Sequence, residues 1–151
     1  MKDFTELEVR KLEESLEILS DLKSHSCELA LRWCATNKSK LQKLKSKFEL
    51  KIVIQIFVEF LRRNQIKQAL EFLKSKSDVT ELFIEDLKKV MGCLMCYRNI
   101  DNFPDYKYFF EEARWNELVD MFKKENFRVF SITMQSPLST TLQVRFLTFN
   151  F

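Results

Sequence analysis

The reading of this chain turns on one stretch, WCATNKSKLQKLKSKFELKIVIQIFVEFLRRN, from Trp33 to Asn64. It opens on a polar helix-starting signal and continues as a lysine-striped amphipathic segment. From Leu50 to Leu61 it is apolar nearly all round. A surface helix needs one apolar stripe, whereas a helix apolar on every side has to be enclosed. Residues 50–61 are therefore expected to be a hub that other helices, or a partner chain, cover. The run Ile52-Val53-Ile54-Gln55-Ile56-Phe57-Val58 would suit a strand on propensity alone. No turn residue separates it from the helical pattern Leu41, Leu44, Phe48, Ile52, and the series Phe48, Ile52, Ile56, Phe60 continues without a phase break. One helix from about Ser39 to Asn64 is the expectation, because burial overrides the modest helix penalty of β-branched residues.

The rest of the composition agrees with helices. One glycine and two prolines occur in 151 residues, at Gly92, Pro104 and Pro137, so residues 1–91 contain neither type. A β-rich fold would need turn residues every 8 to 12 positions, roughly the spacing of short strands. An all-α fold, a bundle of antiparallel helices in a single domain over residues 1–151, follows. Hydrophobic residues at 46% and charged residues at 31% describe a globular chain. The longest mostly apolar run is broken by Lys51, Gln55 and Glu59 and is too short to span a bilayer. The acidic N-terminus MKDFTELEVRK is unlike an export signal, which places the chain in the cytoplasm and nucleus with reduced cysteines.

Outside the hub, residues 3–22 read as a helix burying Phe4, Leu7, Leu12, Leu16 and Leu19. Ser26 is expected to cap a short helix carrying Cys27, Ala30, Leu31 and Cys34. Gln65 to Leu73 reads as a short antiparallel return. A helix from about Val79 to Tyr97 should bury Leu82, Phe83, Leu87, Val90 and Leu94. Arg98 to Asp105 is a loop, and Glu112 to Ser131 a helix burying Trp115, Leu118, Val119, Phe122, Phe127 and Phe130. Ser136-Pro137 starts a last segment whose Leu142, Phe146 and Phe149 fit a helix, although Leu142, Val144 and Phe146 also alternate.

Catalytic constellations are absent. Cys93-Leu94-Met95-Cys96 is a CxxC, but zinc needs two more ligands, and Cys27 and Cys34 lie seven apart. In an apolar helical stretch, reduced cysteines behave as small core residues. His25 is the only histidine, and one glycine leaves no phosphate-binding loop. No cofactor, metal or catalytic residue is assigned. Lys40, Lys43, Lys47 and Lys51, at helical spacing, offer the Lys38–Lys51 face as a basic stripe for nucleic acid. A solvated helix face explains it as well, and a net charge of +3 adds nothing in favour of nucleic acid. The aromatic residues point elsewhere. Tyr106, Tyr108, Phe109 and Phe110 crowd one loop, and Phe146, Phe149 and Phe151 end the sequence. Such apolar concentrations mark protein–protein surfaces or segments docked on their own domain, so these seven are the candidate partner-binding residues.

Certain residues carry a resemblance. Glu13-Glu14-Ser15-Leu16-Glu17, Ala30-Leu31-Arg32-Trp33-Cys34, Asn37-Lys38-Ser39-Lys40-Leu41 and Phe60-Leu61-Arg62-Arg63-Asn64 resemble the CTLH domain. Ala113-Arg114-Trp115-Asn116-Glu117-Leu118 and Phe122 to Arg128 are similar to the CRA region that follows it. The likeness is closest to the macrophage erythroblast attacher branch of the GID/CTLH E3 ubiquitin ligase. It implies a helical CTLH–CRA bundle, CTLH-like to about residue 78 and CRA-like from 79. It also implies a scaffold subunit that pairs with related CTLH or RING subunits as a hetero- or homodimer, in ubiquitin-dependent degradation. Relatives carry a LisH motif before CTLH and a RING-like domain after CRA. Neither pattern occurs in these 151 residues, so E2 binding and ubiquitin transfer are not assigned to them.

Overall fold

The structure is a computed structural model and describes residues 2–133, with side chains from residue 6 onward. The expectations for Phe4, Ser136-Pro137 and the segment through Phe146, Phe149 and Phe151 lie outside the described residues. The fold is all-α, with no strand among the described residues. They form two compact units, one from residues up to 46 with those from 119 onward, the other from Lys47–Leu118. The helix α10 (Glu112–Thr133, below) contributes to both.

The first unit contains α1 (Lys2–Lys23), α2 (Glu28–Thr36) and α3 (Lys38–Lys43). α1 ends in a Schellman turn. His25 takes the left-handed conformation (φ 64°), His25 N bonds Leu22 O, and Ser26 N bonds Asp21 O. Cys27 holds the N-cap position of α2, while Ser26, the expected cap, stands one residue earlier and its Oγ accepts from Glu28 N at 3.4 Å. The orphan amides there are served by the Asp21 carboxylate, which accepts from Leu29 N at 3.1 Å and from Ser26 Oγ at 3.1 Å. α1 turns a different face inward than its leucines suggest. Leu16 is 58% exposed and Leu7 is at the surface, whereas Glu8, Ser15, Ile18, Leu19 and Leu22 are buried. The reason is polar. Ser15 Oγ accepts a 2.7 Å bond from Asn126 Nδ2 on α10, which fixes the rotation of α1. Trp33 of α2 meets Phe122 of α10 edge-on at 5.1 Å, and Arg128 donates to Leu44 O at the end of α3.

The second unit is built on α4 (Phe48–Arg62), α5 (Ile66–Ser75), α6 (Ser77–Thr80), α7 (Ile84–Met91), α8 (Cys93–Cys96) and α9 (Pro104–Lys107). It also takes the start of α10 (Glu112–Thr133). The hub is helical and enclosed, as its composition demands. Leu50, Ile52, Val53, Ile54, Gln55, Phe57, Val58 and Leu61 are all buried. Ile56 and Phe60 are half-buried. Two corrections concern continuity. The expected helix from Ser39 to Asn64 is broken by a second Schellman turn, with Lys45 left-handed (φ 54°), Lys45 N on Gln42 O and Ser46 N on Leu41 O. No glycine, proline or asparagine announces that stop. Asn64 (φ 60°) does end α4 in the same way, and α5 returns against it as an αα-hairpin with Phe60 and Phe72 rings 5.9 Å apart. The expected helix from Val79 to Tyr97 is likewise three pieces, α6, α7 and α8. Its break at Glu81–Phe83 leaves Leu82 62% exposed rather than buried, while Leu87 and Val90 are in the core. α10 extends as expected; Phe127 is half-buried.

Candidate interaction site

The aromatic loop is assembled from local rules. Pro104 sits at the first position of α9, where its missing N–H costs nothing, and the chain then tightens into a 3-10 turn over Tyr108–Phe110. Glu111 is extended (φ −96°, ψ 159°), which separates this turn from α10. The turn is fastened to α4 through its backbone. Gln55 Nε2 donates to Phe109 O at 3.4 Å, and Arg62 Nη2 donates to Phe110 O at 3.0 Å. Glu59 holds both donors, accepting from Gln55 Nε2 (3.1 Å) and from Arg62 Nε (3.1 Å).

Two guanidinium groups finish the clamp. Arg62 lies over the Phe110 ring at 5.2 Å and Arg114 over Phe109 at 5.3 Å. Arg114 is buried, and a buried charge must be paired to be tolerated. It donates to Gln55 Oε1 at 3.3 Å and pairs with Glu117 at 3.4 Å, which also meets Lys51 at 3.5 Å. Gln55, the one polar residue buried in α4, is the junction of this network.

The four aromatic candidates therefore play different parts. Phe109 and Phe110 are half-buried anchors under the two arginines. Tyr106 is half-buried with its ring occupying the space a side chain on Gly92 would need, which explains the sole glycine. Gly92 itself has an ordinary helical φ of −58°, so closeness and not conformation demands it. Tyr108 is 37% exposed, edge-on to Phe109 at 5.8 Å, and Phe103 is also at the surface. The sequence drew attention to these aromatics but not to Gln55, Arg62 and Arg114 behind them. Arg62 and Arg114 stand within family-like letters, yet nothing in their spacing showed that they face the turn. Phe146, Phe149 and Phe151 lie outside the described residues.

The lysine stripe does not lie on one continuous helix. The Lys45 turn breaks helical phase between Lys43 in α3 and Lys47 ahead of α4. Lys47 pairs with Asp86 at 2.8 Å and Lys51 with Glu117. The Lys47 hydrogen bond holds the Asp86 carboxyl below its ordinary value. Nothing in this arrangement supports nucleic-acid binding. Cys93 and Cys96 are both buried. Burial, with Cys96 as a second influence, pushes the Cys93 thiol up to about 12, and burial raises Cys96 too. Thiols so disfavoured as thiolates are poor nucleophiles and ligands. Among the described residues no group of three or more His, Cys, Asp and Glu is placed to hold a metal ion. No described helix is long and apolar enough to cross a membrane. In the first unit an open groove of about 250 Å³ runs between α1 and α2, lined by Lys11, Glu14, Ile18, Leu29, Arg32 and Trp33 among others.

Comparison with known proteins places this architecture. Residues 11–151 match the family described as the CTLH/CRA C-terminal to LisH motif domain. The chain is 32% identical over 134 residues to the Protein MAEA homolog of Arabidopsis thaliana, covering 86% of this chain and 32% of that protein. It is 28% identical over 130 residues to the Protein RMD5 homolog of the same plant, covering 85% of this chain and 33% of that protein. It is also 28% identical over 127 residues to the E3 ubiquitin-protein ligase RMND5A of Xenopus tropicalis, covering 82% and 32% respectively. The chain thus spans about a third of the length of these curated relatives. No solved structure matches it. With the family pattern running from residue 11 through the last residue, across the enclosed hub and the helix that carries Arg114, this chain belongs to the CTLH family.

Proposed function

We propose that the chain is a non-catalytic assembly module of a GID/CTLH-type E3 ubiquitin ligase, pairing with a related CTLH or RING-bearing subunit through helix-borne contacts. The observation that carries this reading is the family match over residues 11–151, joined by similarity to a protein named an E3 ubiquitin-protein ligase. Residues to about 78 serve as the CTLH-like part and those from 79 as the CRA-like part. The module works in the cytoplasm and nucleus, in ubiquitin-dependent degradation.

The surface assigned to the partner is the aromatic turn. Tyr108 and Phe103 are exposed beside half-buried Phe109 and Phe110, and the clamp from α4 holds the turn in one geometry. A rigid aromatic anchor loses little entropy on binding, which is why such residues dominate interface energetics. Co-expression with an RMD5-type subunit from the same organism, followed by size exclusion with light scattering, tests the reading. A stable heterodimer or higher assembly is expected, weakened at least tenfold by Tyr108→Asp, a loss in the range of an interface anchor. Migration of the two proteins as separate species would overturn it. Ubiquitin transfer by this chain alone with E1 and E2 would overturn its non-catalytic part.

A further inference from the structure

Two stretches of the chain carry opposite charge, and neither is neutralised by the described residues around it. Residues 38–47, KSKLQKLKSK, hold five lysines and no acidic residue. Residues 101–112, DNFPDYKYFFEE, hold four acidic residues against Lys107 alone. The first stretch is α3 with the turn that ends it, and the second is the aromatic turn with its approach. Lys47 is held by Asp86, but Lys40, Lys43 and Lys45 have no carboxylate partner among the described residues. In the acidic stretch Asp101 meets Lys107 at 3.1 Å, whereas Asp105 and Glu111 are exposed and pair with no cation among the described residues.

We propose that the aromatic turn of one molecule docks α3 of a second copy of this chain, with the lysines of α3 on the carboxylates that rim the turn. The proposal rests on the reading of the turn as an interface and names what covers it. The turn supplies the apolar part. Phe103 and Tyr108 are at the surface, and among the described residues no cation lies over either ring. The inner rings of the same turn already carry guanidinium groups, Arg62 over Phe110 and Arg114 over Phe109. The outer rings offer an incoming cation the same attraction. Asp105 stands three residues before Tyr108 in backbone that is helical through Tyr108, so the two share a side of the turn. Glu111 N bonds Tyr108 O, which keeps the second carboxylate's residue beside the same tyrosine.

α3 fits as the occupant. Lys40 and Lys43 stand at i and i+3, which puts them on one side of the helix, away from buried Leu41. Lys43 and Lys45 are exposed. A lysine lays its methylene stem along apolar surface while its ammonium stays with water or a carboxylate. That is the shape an aromatic ring edged by carboxylates can receive. Charges at the rim of an interface steer the encounter and set its register more than they add affinity. The contact is therefore expected to be weak and strongly salt-dependent.

Sedimentation velocity of the full 151-residue chain, over a concentration series reaching the millimolar range, tests it. Self-association is expected, weakening about tenfold between about 50 and 300 mM salt as exposed charges are screened. Two double variants reverse the two sides: Asp105→Lys with Glu111→Lys on the turn, and Lys40→Glu with Lys43→Glu on α3. All four positions lie outside the core, and circular dichroism checks that each variant is folded. Neither double variant should associate alone. An equimolar mixture of the two should, because every turn then meets an α3 of opposite charge. A wild-type chain that stays monomeric throughout overturns the proposal. So does association indifferent to either variant, or a mixture that regains nothing. Failure here is separable from failure of the ligase reading. A monomeric chain that still binds an RMD5-type subunit sinks the self-docking alone, and self-association without that heterodimer sinks the ligase reading alone.

Discussion

α4 and α1 are both long helices, yet they are held in opposite ways. α4 is enclosed by apolar contact on almost every side and keeps one polar side chain inside, Gln55. α1 is amphipathic, and its inward face is set by Glu8 and Ser15 as much as by Ile18 and Leu22. A helix apolar all round has no wrong face to turn in, so composition alone settles its fate. A helix with apolar residues on two stripes has a choice, and a hydrogen bond decides it. The largest test of that contrast is Phe57→Ala. Phe57 is fully buried, and truncating such a ring costs about 3–5 kcal/mol through lost transfer energy and the cavity left behind. Urea unfolding should show a midpoint shift of that size. A cost below about 1 kcal/mol would mean that α4 is not the enclosed hub.

The second test strikes the polar exception inside α4. Gln55→Leu keeps the volume but leaves Arg114 Nε and Phe109 O without their partner. Hydrogen bonds to charged groups contribute about 1.5–3 kcal/mol, so a loss of about 2 kcal/mol is expected. The change should also loosen the aromatic turn, seen as faster amide exchange over Tyr108–Phe110. If stability rises instead, the network behaves like those buried ion pairs that apolar groups replace with profit.

This contrast also says what was legible in the sequence. The all-α class and the helical state of residues 48–62 followed from scarce turn residues and unbroken phase, because both depend on composition over a long window. The stop at Asn64 was legible because asparagine tolerates the left-handed conformation. The stop at Lys45 was not, since lysine gives no such sign and only the tertiary structure forces it into φ 54°. The exposure of Leu82 and Leu16 was hidden for a related reason. Periodicity reports which residues could share a face, while the partner's polar groups choose among faces. The aromatic cluster was legible as a concentration of rings, but its division into anchors and the exposed Tyr108 depends on Arg62, Gln55 and Arg114, which approach from distant positions in the chain.

On α1 the corresponding test is smaller. Ser15→Ala removes the acceptor of Asn126 Nδ2, which is buried between the helices, and also the local bond to Lys11 O. An unsatisfied buried donor costs about 1–3 kcal/mol, and a single neutral bond lies at the lower end. A loss of about 1 kcal/mol is expected. Adding Asn126→Leu should recover part of it, because replacing both partners removes the orphan. If Ser15→Ala is neutral, the rotation of α1 is set by its apolar residues after all, and the distinction between the two helices weakens.

The smallest effect is a gain, at the turn that ends α3 just ahead of α4. Lys45 takes φ 54° at the C′ position of a Schellman turn, where glycine adopts the left-handed conformation without a Cβ penalty. A left-handed L-residue costs roughly 1–2 kcal/mol, offset by the extra unfolded-state freedom that glycine must lose. Lys45→Gly should therefore stabilise the protein by about 0.5–1 kcal/mol, the difference between those two opposing effects. Asn64→Gly offers the contrast. Its φ is 60°, but its side chain accepts from Tyr97 Oη and, at 3.2 Å, from Arg98 Nη2. Losing those bonds should cancel the backbone gain, so Asn64→Gly is expected to be neutral or destabilising. Should Lys45→Gly lower the melting temperature instead, the left-handed conformation would cost the lysine less in this turn than glycine's extra unfolded-state freedom.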